Sequence, residues 1–181
     1  MKIKQLFKSK FPTSKEEVEA ILNSDIFGIT GSTTINDDLT VSVDGHVTLL
    51  KTMTQLPVKF RLVTKSFTAL HKGLTTLEGA PKEVGGNCIV NFNELHSLKG
   101  APKEVGGSFY CTGNKFETLM YSPNFVGEHY DCGNNRNLKS SVGVSKHIGE
   151  DFYCYMTRIK EEELMQDLDY VGGMIVGDWS E

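Results

Sequence analysis

The chain has 181 residues, 39% of them hydrophobic and 23% charged, and a formal net charge of −4. That length and apolar content can build one packed core, and the charge excludes a global basic field for nucleic acid. No apolar run approaches the ~20 residues that cross a bilayer, which excludes a spanning helix.

The first fifteen residues carry Lys2, Lys4, Lys8, Lys10 and Lys15 without an acid. No uninterrupted apolar stretch with a small-residue cleavage site comes after them, so a cytoplasmic location is expected. Residues 13–23 read as one helix. Ser14-Lys-Glu-Glu17 supplies a capping box, Val18, Ile21 and Leu22 form an apolar stripe, and Phe11 is placed for a hydrophobic staple. Such a short helix is marginal alone, so it is expected to close the open N-terminal coil of a repeat array; gripping a partner is the other reading. The domain division is a cap at 1–34 and a repeat body at 35–181.

The body is periodic. Ala80–Gly86 recurs unchanged as Ala101–Gly107, 21 residues on, and a fixed period of that length signals a solenoid. Cys88-Ile-Val90-Asn-Phe-Asn93 matches Phe109-Tyr-Cys111-Thr-Gly-Asn114, then Tyr130-Asp-Cys132-Gly-Asn-Asn135, then Phe152-Tyr-Cys154-Tyr-Met-Thr157. Leu39-Thr-Val41 and Phe60-Arg-Leu62 read as upstream copies, with a longer gap and a bulged turn around 66–73. Glu161–Asp167 reads as a short helix in the last connector, and Met174-Ile-Val176 as the final copy, with Trp179 as a lid or exposed. The array then has about seven coils, above the ~3 that stability needs.

Strand alternation predicts Cys88/Val90, Phe109/Cys111, Tyr130/Cys132, Phe152/Cys154 and Met174/Val176 inside, each buried side chain contributing ~1.5–3 kcal/mol. Asn93, Asn114 and Asn135 are placed to bond the backbone of the turn. The Gly-Gly pairs before the strands lack the Lys-Ser/Thr of a phosphate loop and read as tight turns. Cys111, Cys132 and Cys154 form a ladder with poor bridging geometry and no Cys-x-x-Cys, so they read as small core hydrophobes rather than zinc ligands or disulfides. The five histidines sit at different offsets beside no nucleophile. No catalytic group, metal or cofactor is expected.

The pattern apolar-x-apolar-x-x-Asn-x-apolar resembles the leucine-rich-repeat signature, here with Cys where Leu is usual. The period and the connectors Leu77-Glu-Gly-Ala-Pro81 and Leu98-Lys-Gly-Ala-Pro102 resemble the short repeats of bacterial effectors. The phrasing Gly-Ala-Pro-Lys-Glu-Val-Gly-Gly resembles small repeat proteins of tailed bacteriophages. The resemblance implies a curved solenoid with a parallel sheet on its concave face and an N-terminal capping helix. It also implies a bacterial host protein as partner, blocked sterically in the host cytoplasm.

Outward strand positions do not need apolar residues, so exposed aromatics there suggest recognition rather than folding. The expected protein-binding face comprises Arg61, Ile89, Asn91, Tyr110, His129, Asp131, Asp151, Tyr153 and Tyr155. The expected function is a non-catalytic protein-binding module, able to inhibit its target by blocking it, with no membrane contact. The alternative is a nucleic-acid-binding or DNA-mimicking module using the basic N-terminus or the acidic residues from Glu161 onward.

Overall fold

The computed structural model describes residues 10–179. Its first element is helix α1 (Lys15–Leu22), followed by strands β1 (Phe27–Ile35) and β2 (Thr40–Leu49). Ser14 caps α1 by accepting the Glu17 N–H, while Glu17 reaches back to the Thr13 N–H at 2.7 Å. Val18 and Ile21 are buried against the first coil, as the apolar stripe predicts. β1 and β2 form an antiparallel hairpin from Phe27↔Leu49 to Ile35↔Val41. The expected domain boundary at 34/35 falls inside this hairpin.

The rest of the chain is a parallel β-solenoid. Each turn carries two short strands separated by a corner, so the strands stack in two rows. The first row is β3 (Lys59–Val63), β5 (Glu83–Val84), β7 (Glu104–Val105), β9 (Phe125–Val126) and β11 (His147–Ile148). The second is β4 (Phe67–Thr68), β6 (Cys88–Ile89), β8 (Phe109–Tyr110), β10 (Tyr130–Asp131), β12 (Phe152–Tyr153) and β13 (Ile175–Val176). β2 joins the rows: its first half pairs with β3 and its second half with β4. Seven parallel strands, from β2 to β13, therefore line the second row. Helix α2 (Glu161–Asp167) lies in the last connector and buries Leu164.

Two columns of residues set the geometry. At the corner, Gly106, Gly127 and Gly149 approach the preceding turn so closely that an added Cβ would lie 2.0–2.3 Å from a carbonyl oxygen. Only glycine permits that approach. At the exit of the second row stand Asn93, Asn114 and Asn135, all buried. Asn135 Nδ2 donates to the carbonyls of Cys111 (3.1 Å) and Cys132 (2.8 Å), and its Oδ1 accepts the Asn114 N–H at 2.6 Å. Asn93 does the same for Ala69, Val90, Lys72 and Leu74. Each amide thus satisfies backbone groups that the bend removes from water.

The interior follows the predicted alternation through the middle coils. Cys88, Phe109, Tyr130 and Phe152 stack with the second-row partners Val90, Cys111, Cys132 and Cys154, all buried. Rings of Phe109, Tyr130 and Phe152 meet edge-on at 5.2 and 5.3 Å, a favoured aromatic geometry. Tyr130 is fully enclosed because its hydroxyl pairs with Ser122 Oγ at 2.8 Å. The four cysteines are free and buried; burial pushes the Cys88 and Cys154 thiols up to about 12 and holds those of Cys111 and Cys132 well above the ordinary value.

Both ends of the array differ from the sequence reading. Phe60-Arg61-Leu62 lies on β3 in the first row, with Leu62 opposite Glu83 and Val63 buried opposite Val84. The second-row copy is Phe67-Thr68-Ala69, with Phe67 opposite Cys88, so the 21-residue spacing is unbroken there. At the far end Ile175, not Met174, pairs with Phe152, and Met174 is exposed. In two-residue strands a one-residue slip exchanges faces at little cost in pattern. Trp179 is half-buried against the core, its Nε1 donating to the Ile159 carbonyl at 3.4 Å.

The Asn column yields a direct test. Asn135→Ala leaves the Cys132 carbonyl and the Asn114 N–H without partners in the interior, and the Cys111 carbonyl with the Asn114 amide alone. It should lower unfolding free energy by about 2–3 kcal/mol in a urea titration. Asn137→Ala, at an exposed position two residues on, should leave the midpoint unchanged.

Candidate functional site

The outward side of the second row presents three columns. The middle one runs Thr68, Ile89, Tyr110, Asp131, Tyr153 and Val176 in strand register. Asn87, Ser108, His129 and Asp151 stand before it, since their carbonyls accept the N–H of Phe67, Cys88, Phe109 and Tyr130. Asn91, Thr112, Gly133 and Tyr155 stand after it, linked in the same way. Eight of the nine expected residues are therefore brought together. Arg61 is not: it lies on β3 in the first row, around the corner from Ile89.

The face is a hydrogen-bonded network rather than a set of free side chains. The Tyr153 hydroxyl donates to Asp151 Oδ2 at 2.8 Å, and the Tyr155 hydroxyl reaches Asp131 Oδ2 at 3.4 Å. His129 Nδ1 accepts the Asp151 N–H at 3.3 Å, so Nε2 carries the proton that faces Glu150 Oε2 at 2.8 Å. The His129 and Tyr153 rings lie 6.0 Å apart. The Tyr155 ring lies over Gly133, where an added Cβ would meet it at 2.5 Å, and it spreads across two coils. Ser108 and Thr112, which strand alternation on either side of Phe109 and Cys111 would turn outward, are buried, and the Ser108 hydroxyl donates to Glu128 at 3.0 Å.

Two members of this network were missed by the sequence reading. Glu128 and Glu150 occupy the second corner position, held elsewhere by Gly86, Gly107 and Gly173. The signal was present: Gly-Gly becomes Gly-Glu at 127–128 and 149–150. Glu128, Asp131, Glu150 and Asp151 then place four carboxylates on one half of the face. From Ser108 onward its three columns and this corner position contain neither lysine nor arginine. The opposite half is uncharged in its middle column, with Thr68 and Ile89.

These carboxylates are held by specific donors. The Met174 N–H, the Tyr153 hydroxyl and then His129 keep the Asp151 carboxyl below the ordinary carboxylate range. The bond to Asp151 in turn raises the Tyr153 hydroxyl, and burial followed by the Asp131 charge raises that of Tyr155. Such an arrangement can accept hydrogen bonds and positive charge, and burial keeps the Cys111 and Cys132 thiols beneath it protonated. Among the described residues no group of three or more His, Cys, Asp or Glu side chains is arranged to hold a metal ion. No described helix is long and apolar enough to cross a membrane. Comparison of the chain with protein-family models, curated proteins and solved structures finds no match.

The sign of the Asp151 shift gives a pH prediction. A carboxyl whose folded-state pKa is depressed contributes stability above its unfolded value of ~3.9, and loses it as pH falls through the folded value. Asp151→Asn should therefore be less stable than the parent at pH 7. The gap between their urea midpoints should close below about pH 4, as native carboxylates there protonate.

Proposed function

We propose that the chain is a non-catalytic protein-binding module whose second-row face takes a cationic segment of its partner. The observation that carries this reading is the juxtaposition of Tyr110, Tyr153 and Tyr155 with Glu128, Asp131, Glu150 and Asp151. Tyrosines supply rigid, amphipathic contact area, and a guanidinium can pair with a carboxylate while lying on a ring. Asp131 and Asp151 also accept the backbone N–H groups of Gly133 and Met174, but folding does not call for the tyrosines or for the two glutamates, since the opposite side of the same strands already fills the core. The network also preorganises the face, reducing the side-chain entropy lost on binding.

The column of Asn93, Asn114 and Asn135 at the strand exit supports a leucine-rich-repeat-like classification, although the extra first row is an addition to that pattern. The resemblance to bacteriophage repeat proteins makes a bacterial host protein the expected source of the partner. Arg61 drops out of this interface, and Glu128 and Glu150 enter it.

The test is binding of a defined arginine-containing cationic peptide, followed by calorimetry at two salt concentrations. The parent should bind saturably, and Tyr153→Ala combined with Asp131→Lys should weaken binding at least tenfold in a protein that still unfolds cooperatively above the assay temperature. Undiminished binding by that variant removes this face from the interface. Preferential binding of duplex DNA, with a steep loss of affinity as salt rises, would favour the nucleic-acid reading.

A further inference from the structure

Another surface lies on the turn side of the first row, away from the tyrosine face. It is an open groove of about 800 Å3 that runs from Thr40 across successive coils to Asn124. Its floor is made of small residues, Gly79-Ala80 and Gly100-Ala101, and lysines 59, 82 and 103 line it. Coils repeat every ~4.8 Å, so the groove is about 20 Å long.

Three observations mark it as more than a surface irregularity. First, Lys82 and Lys103 are held on adjacent coils by the backbone: the Lys103 N–H donates to the Lys82 carbonyl at 2.7 Å, and that of Lys82 to Arg61 at 3.0 Å. Like charges side by side on neighbouring strands destabilise a sheet, and an exposed position there could hold any polar residue. Second, none of the three lysines forms an ion pair with a described carboxylate. The Lys59 ammonium lies instead 4.7 Å from the Phe11 ring, while Glu78 at the rim is engaged by Lys10 and Asp38 by Thr40.

The third is Tyr121. The turns after Leu77, Leu98 and Leu119 are equivalent, because Ala80, Ala101 and Ser122 each donate to the leucine carbonyl three residues back. The residue before that donor is Gly79 (φ +96°), Gly100 (φ +95°) and Tyr121 (φ +71°), with Gly143 (φ +84°) in the following coil. A bulky side chain in the left-handed region is strained, where glycine is not. Tyr121 is 55% exposed, so burial does not offset that strain, yet its side chain lines the end of the groove.

We propose that this groove binds an extended acidic peptide segment, with carboxylates at alternate residues on Lys59, Lys82 and Lys103 and an apolar side chain against Tyr121. Alternate residues of an extended chain lie ~6.8 Å apart, a spacing that flexible lysines on coils ~4.8 Å apart can meet. A uniformly charged phosphate backbone fits less well, since Glu83 and Glu104 stack beside the lysines and the whole chain is net negative. This site stands apart from the tyrosine face and does not depend on it.

The experiment is fluorescence anisotropy with a labelled nine-residue peptide of alternating Glu and Ala ending in Phe. The parent should bind saturably and more weakly as salt rises. Lys82→Glu with Lys103→Glu should weaken binding at least tenfold. Tyr121→Gly should weaken it several-fold while the melting temperature holds or rises, a combination that a structural role for the ring would not give. Tyr153→Ala should bind as the parent does. No saturable binding at millimolar peptide, or equal affinity in the double lysine variant, overturns the proposal. So does displacement of the peptide by an equal concentration of a single-stranded oligonucleotide.

Discussion

Where the first row turns into the second, the backbone of each coil passes almost against the backbone of the one before. An added methyl at Gly127 would sit 2.0 Å from the Gly106 oxygen, and one at Gly149 would sit 2.0 Å from that of Gly127. This close corner lets two-residue strands hold register at all, because the Gly127 N–H meets the Val105 carbonyl at 2.9 Å immediately after Val126 pairs. The polar groups freed at the other bend are collected by the Asn column. With both bends satisfied internally, outward positions such as Ile89 and Tyr110 are free to vary, while their neighbours Asn87, Asn91, His129 and Asp151 still accept backbone N–H groups of the next coil.

The two surfaces of interest arise by departures from that repeat. On the second row, glutamate replaces the second corner glycine in two consecutive coils, and its carboxylates join aspartates and tyrosines already facing outward. Ser108 fits beneath Glu128 by giving it a hydrogen bond. On the turn side, one tyrosine enters a column of glycines and stands at the end of a smooth-floored groove. The faces carry opposite charge because different positions of the same repeat project to each.

The middle coils were legible in the sequence because four copies share one spacing, so inside and outside follow from alternation alone. Phe109, Cys111, Tyr130 and Phe152 are buried, and the Asn amides bond the turn as expected. The outer copies were not, because each coil has two strands and an apolar-x-apolar triplet fits either. Phe60-Arg-Leu62 matched the pattern but belongs to the first row, while the true copy ends in Ala69, small enough to look unremarkable. Arg61 was misplaced for that reason. The upstream copy Leu39-Thr-Val41 does fall at the start of β2, but β1 and its antiparallel pairing were missed, because β1 has no counterpart in the 21-residue repeat. The burial of Thr112 and Gly133 under Tyr155 had no local signal, since the covering ring comes from a later coil.

The unchanged heptapeptide at Ala80–Gly86 and Ala101–Gly107 has an implication for how such a molecule can change over generations. Each 21-residue unit satisfies its hydrogen bonds through its immediate neighbours, so gaining or losing one in frame leaves no orphaned backbone and no hole in the interior. Unequal recombination between the two copies would lengthen or shorten both surfaces by one step while keeping their chemistry in phase. The reach of the molecule is thus an adjustable quantity, set by copy number rather than by redesign of any single residue.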